Sequence, residues 1–169
     1  LEKFGYTDFD IRGDGSEGVV FKKDKLAIKV CHEGIKLNDE NLSLISELSA
    51  KSISCLPNNF KLKYSGPTII SYDWVDGEHP NFETNVGPWL DLLRECKENK
   101  FVYWDLKPQN LILTPDDRLV IIDIGRDLKI YNYDDWASMV RKAYLCWKHW
   151  DKINLRELLT RTLRDTDPH

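Results

Sequence analysis

The chain has 169 residues, enough for one compact domain or for two small lobes sharing one site. Hydrophobic residues make up 41%, which supports a packed core, and charged residues make up 31%, an ordinary share. A formal net charge of −4 removes any whole-chain electrostatic case for nucleic acid or for an anionic membrane.

No apolar run reaches the length of a membrane span, and residues 1–15 lack the pattern of a secretion signal, so no membrane insertion is expected. Cys31, Cys55, Cys96 and Cys146 stand far apart, without CxxC or Cys/His ligand spacing. They read as reduced thiols of a cytoplasmic protein, in the producing cell or in a host cytosol.

In chain order, residues 9–31 predict strand, glycine turn, strand, short turn at Asp24-Lys25 and strand at Leu26–Cys31. Leu42, Leu44, Ile45 and Leu48 predict a helix over Asn38–Lys51, capped by Asn38 or Asp39. Two strands follow at 60–66 and 67–75 around the turn Ser65-Gly66-Pro67. The Gly-, Pro-, Asn- and Asp-rich stretch Val75–Pro88 reads as a linker. A helix over Val86–Asn99 carries Trp89, Leu90, Leu92, Leu93 and Cys96. Beyond it come a short strand and loop (101–110), a strand (111–114), a turn at 115–117 and a strand at Leu119–Asp123. The tail from Asp134 reads as helical, in two pieces of about 134–150 and 154–165. A β-rich half therefore precedes a mainly helical half.

Two segments carry chemistry. The first is the turn Gly13-Asp14-Gly15-Ser16-Glu17-Gly18, running into Val19 and Val20. Backbone amides approach phosphate oxygens where no Cβ intervenes. A dinucleotide-binding turn would open a helix, whereas this one opens a strand. Lys29, sixteen residues after Gly13, interrupts the apolar strand Ala27-Ile28-Lys29-Val30 and needs an anionic partner there. Glu47 in the following helix is the expected partner, ahead of Glu40, whose place near the helix start has a dipole explanation of its own.

The second segment is Tyr103-Trp104-Asp105-Leu106-Lys107-Pro108-Gln109-Asn110, with Asp123-Ile124-Gly125 beginning thirteen residues after Asn110. Asp105 and Asp123 each follow an apolar stretch, where a carboxylate is costly unless it binds metal or takes protons. Phosphoryl transfer needs an acceptor-positioning base, metal ligands and cations. Asp105, Asn110, Asp123, Lys107 and Lys29 supply that set in order.

Over about residues 9–136 these segments resemble the signature set of eukaryotic-type protein kinases. The resemblance implies an α+β, minimal bilobal protein-kinase-like fold, with a β-rich N-lobe (1–75) and a reduced helical C-lobe (76–169). Gly13, Gly15, Ser16, Gly18 and Val20 fall on the family's glycine loop, and Lys29 on its ATP lysine. Ala27 would line the adenine pocket, Tyr72 would stand as gatekeeper, the backbones of Asp73 and Val75 would meet adenine, and Glu78 would reach the ribose. Asp105 would orient or deprotonate the acceptor hydroxyl and Lys107 would stabilise the γ-phosphate. Asn110 and Asp123 would hold Mg²⁺. ATP and Mg²⁺ are the implied cofactors and a protein Ser/Thr hydroxyl the implied acceptor.

The departures from that pattern narrow the expectation. Trp104 replaces the arginine that pairs with a phosphorylated activation loop, so control of that kind is not expected. Asp135 stands only twelve positions after Asp123, and no Ala-Pro-Glu motif lies between them. The usual peptide platform is thus missing, as in bacterial effector kinases that act on host proteins, some with an activating or docking protein. The alternatives are a kinase-fold small-molecule phosphotransferase, acting on a sugar, lipid or antibiotic, and a nucleotide-binding pseudokinase. Tyr131, Tyr133, Trp136, Tyr144, Trp147 and Trp150 read as packing that replaces missing helices.

Overall fold

The computed structural model describes residues 10–14, 17–35, 37–64 and 68–146. Gly15, Ser16, the Ser65-Gly66-Pro67 turn, Trp147, Trp150 and the expected helix at 154–165 lie outside the described residues. The chain is α+β with antiparallel sheets. It divides into two compact units. One comprises Leu1–Ser52, Pro57–Trp74 and Ile124–Arg126, and the other Ile53–Leu56, Val75–Asp123 and Asp127–His169.

The first unit is built on a five-stranded antiparallel sheet of β1 (Asp10–Asp14), β2 (Gly18–Lys23), β3 (Leu26–Cys31), β4 (Lys61–Tyr64) and β5 (Thr68–Asp73), in the order β1-β2-β3-β5-β4. The tight β2–β3 turn works because Asp24 takes the left-handed conformation (φ 51°). Ala27, Ile28, Ile69 and Ile70 bury the centre of the sheet. Helix α1 (Asp39–Ser49) starts where the Asn38 side chain accepts the Asn41 N–H at 2.8 Å, and it buries Asn41, Leu44, Ile45 and Leu48.

Gly18 is fixed by close approach to β3. A Cβ there would stand 2.4 Å from the Val30 carbonyl oxygen and 2.9 Å from the Cys31 Cα, both backbone atoms that cannot swing aside. Gly18→Ala is therefore expected to destabilise the fold by about 2 kcal/mol, the scale of an overpacked core site. A lowered urea midpoint at unchanged slope is the check.

The second unit places helices α2 (Val86–Glu98) and α3 (Tyr133–Leu145) with two two-stranded sheets. Strand β6 (Phe101–Tyr103) pairs with β9 (Leu128–Ile130), and β7 (Leu111–Leu113) with β8 (Leu119–Ile121). A 3-10 turn, Pro108–Asn110, leads into β7. The core here is Trp89, Leu92, Leu93, Phe101, Val102, Leu111, Ile121, Leu128, Trp136, Met139 and Val140. The buried Trp136 indole donates to the Leu93 carbonyl at 2.9 Å and faces the Lys97 ammonium at 5.1 Å. Among the tail aromatics that are described, Trp136 thus packs as expected.

The stretch read as a linker is hydrogen-bonded structure. The Glu78 N–H and carbonyl bridge to Leu113 (3.2 and 2.6 Å), and Gly77, at φ 144°, has the Leu113 carbonyl where a Cβ would stand. Residues Ile53–Leu56 also belong to this unit. The Cys55 carbonyl accepts the Ile121 N–H at 2.9 Å, and Ser54 donates its N–H and hydroxyl to the Glu95 carboxylate. No helix among the described residues is long and apolar enough to cross a membrane.

Candidate active site

In the first unit the candidate residues gather around Lys29. The β2–β3 register sets it opposite Val20, which in turn lies opposite Gly13. The Lys29 side chain is 2% exposed, and an ammonium at that depth requires anionic company. It finds Glu17 Oε1 at 3.1 Å and the Ile124 carbonyl at 3.1 Å. Glu17 is itself buried, and its Oε1 also accepts the Arg126 N–H at 3.2 Å, with the Arg126 Nε 3.9 Å from Oε2.

The expected Lys29–Glu47 pair is not formed. Glu47 is exposed and pairs instead with Lys51 at 3.7 Å. The reason is helical phase: α1 turns Asn41, Leu44, Ile45 and Leu48 inward, and Glu47 lies roughly 100° round the helix from that stripe. Glu40 is exposed as well. Reading the sequence missed Glu17, because an acid beside glycines was read as part of a phosphate turn. Its signal was chemical: a carboxylate has no favourable role in an anion cradle unless a cation stands beside it.

In the second unit a continuous hydrogen-bonded loop joins the other candidates. The Asn110 Nδ2 donates to Asp105 twice, to its carbonyl at 2.9 Å and its Oδ2 at 3.0 Å. Lys107 Nζ stands 3.4 Å from that same Oδ2, both side chains being about half exposed. The Asn110 carbonyl accepts the Ile122 N–H at 3.0 Å, which ties the end of β8, and so Asp123, to the same loop. The buried Tyr103 hydroxyl donates to Asp123 Oδ2 at 3.2 Å. Burial, and then the charges of Asp123, Asp127 and Asp105, push the phenol far above its usual pKa, so it stays a donor.

Trp104 is held from several sides. Its indole donates to Asp135 Oδ2 at 3.0 Å, Lys129 lies 4.7 Å over its ring, and its carbonyl accepts from Lys142. The Trp104 N–H donates to the Asp127 carbonyl at 2.9 Å, beside the short strand β9 that the sequence did not reveal.

The remaining predicted positions divide between the units. Ala27 is fully buried and stands opposite the buried Tyr72 across β3 and β5. Asp73, also in the first unit, donates its N–H to Asn58 and accepts from the Asn59 side chain at 2.9 Å. Val75 and the exposed Glu78 belong to the second unit.

Mg²⁺ prefers oxygen ligands, and the second unit offers such a set. A carboxylate oxygen of Asp123 and one of Asp127 lie within 4.8 Å of each other. Asn110 commits its Nδ2 to Asp105, which leaves its amide oxygen as the ligand atom. Asp127 was not among the expected ligands. Comparison with protein-family models and with curated proteins found no match for this chain.

Proposed function

We propose that the chain is a Mg²⁺- and ATP-dependent protein kinase of minimal bilobal build, transferring the γ-phosphate to a serine or threonine hydroxyl. The observation that carries this reading is the loop of the second unit, in which Asn110 holds Asp105, Lys107 reaches the same carboxylate, and the Asn110 backbone holds the end of β8 that leads to Asp123. Phosphoryl transfer asks the protein mostly for positioning and charge, and these residues supply both.

Asp105 takes the proton of the acceptor hydroxyl, and the Asn110 amide fixes the carboxylate that receives it. Lys107 sets its positive charge beside that carboxylate, where charge builds on the migrating phosphoryl group. Asp123 and Asp127, with the Asn110 amide oxygen, would hold the metal, and Tyr103 steadies Asp123 by a donated hydrogen bond. Mg²⁺ bound to ATP supplies charge neutralisation at the transferring phosphate. In the first unit Lys29 would be the cation for the triphosphate, Ala27 and Tyr72 would border the base, and Asp73 would present backbone to it. Trp104, already held by Asp135 and Lys129, leaves no arginine for a phosphorylated loop to engage. The proposed acceptor is a protein in the cytoplasm of the producing cell or of a host, reached alone or through a docking protein.

The test is transfer from γ-labelled ATP with Mg²⁺ into bacterial and eukaryotic lysates, beside Asp105→Ala. A discrete labelled protein that disappears with the variant supports the proposal. Label passing to small molecules alone moves the assignment to a small-molecule phosphotransferase, and ATP binding without transfer moves it to a pseudokinase.

A further inference from the structure

Lys29, on β3, and Glu17, which immediately precedes β2, form a buried ion pair within the first unit. Helix α1 sends a neutral group to this region instead: the buried Asn41 amide donates to the Arg126 carbonyl at 3.3 Å. Gly125 explains how the carboxylate fits. A Cβ on Gly125 would stand 1.8 Å from Glu17 Oε1, so the glycine leaves the space that the carboxylate fills. The Arg126 N–H then closes on that same oxygen at 3.2 Å, and Lys29 bridges back to the Ile124 carbonyl. Glu17, Lys29 and the Ile124-Gly125-Arg126 backbone are one closed network.

We infer that Glu17 is the positioning residue for Lys29, replacing a helix carboxylate by one from the glycine turn. The inference rests on the phosphotransferase reading, in which Lys29 meets the triphosphate. A charged hydrogen bond is worth more than a neutral one and fixes direction as well as distance. Glu17 Oε1 takes both the Lys29 ammonium and the Arg126 N–H, so the carboxylate that faces Lys29 is itself fixed by the Arg126 backbone.

The experiment is steady-state transfer from ATP by the full chain with Glu17→Gln, Glu17→Asp and Gly125→Ala, with thermal unfolding measured alongside. Glutamine keeps the shape and the acceptor for the Arg126 N–H but removes the charge. Glu17→Gln is expected to lower kcat about tenfold or more, with a smaller change in the KM for ATP. It also lowers the melting midpoint, because the buried Lys29 ammonium loses its counter-charge, so rates are compared at a temperature where the variant is folded. Glu17→Asp recovers part of the rate. Gly125→Ala, which drives a methyl into the carboxylate, reproduces the Glu17→Gln defect. Wild-type turnover by Glu17→Gln overturns the inference, and so does an equal fall in Glu47→Gln. A wild-type chain that transfers no phosphate removes the phosphotransferase reading as well, whereas an active wild type with indifferent Glu17 variants removes this inference alone.

Discussion

Alanine at Asp105 is expected to lower phosphate transfer about 10³-fold while leaving the fold standing. The two effects separate because of where the side chain sits. Asp105 is nearly half exposed, and its partners do not depend on it for burial. Asn110 also bonds the Asp105 backbone carbonyl at 2.9 Å, a contact that alanine retains. Lys107 is half exposed and loses only a solvent-screened pair. The stability cost is then about 1 kcal/mol, the scale of one hydrogen bond. Single-turnover transfer and a urea titration on the same preparation read both numbers. Retained transfer removes Asp105 from the proposed mechanism, and a collapsed urea midpoint reassigns the loop as structural.

Methionine at Lys29 should have the opposite balance, costing the fold about 3–5 kcal/mol. Methionine fills a similar volume, so the loss does not come from a cavity. It comes from the Glu17 carboxylate, which is left buried with its close ammonium gone, keeping only the Arg126 N–H and the Arg126 Nε at 3.9 Å. The double variant Lys29→Met with Glu17→Gln removes the stranded charge and should regain part of the loss. Urea midpoints of the wild type, the two single variants and the double variant measure this directly. If Lys29→Met unfolds at the wild-type midpoint, Glu17 is hydrated in solution and the buried pair does not form there.

Much of the fold was legible in the sequence because the elements follow simple periods. Strands β2 and β3 are apolar runs around a two-residue turn, α1 has its leucines at helical spacing after an asparagine cap, and α2 carries Trp89, Leu92, Leu93 and Cys96 on one buried face. Strand β9 was not legible. Leu128-Lys129-Ile130 is too short to show a period, and its existence depends on pairing with β6 far back in the chain. In the candidate site, Asp105, Lys107 and Asn110 stood out because they are close in sequence and their chemistry is complementary. The partner of Lys29 did not, because it depends on a loop path rather than on a period. The helix gave a visible reason against Glu47, since Leu44, Ile45 and Leu48 define a stripe that excludes it. Nothing comparable marked Glu17, which precedes the first residue of β2 and so escapes strand alternation. Asp127 was hidden for a related reason: it sits in a turn between Asp123 and β9, outside the Asp123-Ile124-Gly125 motif.

The four residues Ile53–Leu56 bear on how this chain can be taken apart. They lie between two stretches of the first unit, yet Cys55 pairs through its carbonyl with Ile121 and Ser54 engages Glu95 in α2. A fragment beginning at Val75 would have every described helix of the second unit and still lack one of its hydrogen-bonded edges. It would also leave the buried Cys96 without Cys55, its neighbour, whose thiol pKa the Cys96 side chain and burial together push up. Expression of the helical part alone is therefore the wrong way to simplify this protein. A tether that keeps residues 53–56 beside the rest, or a circular permutation that opens the chain elsewhere, respects the way the second unit is stitched together from separate lengths of one polypeptide.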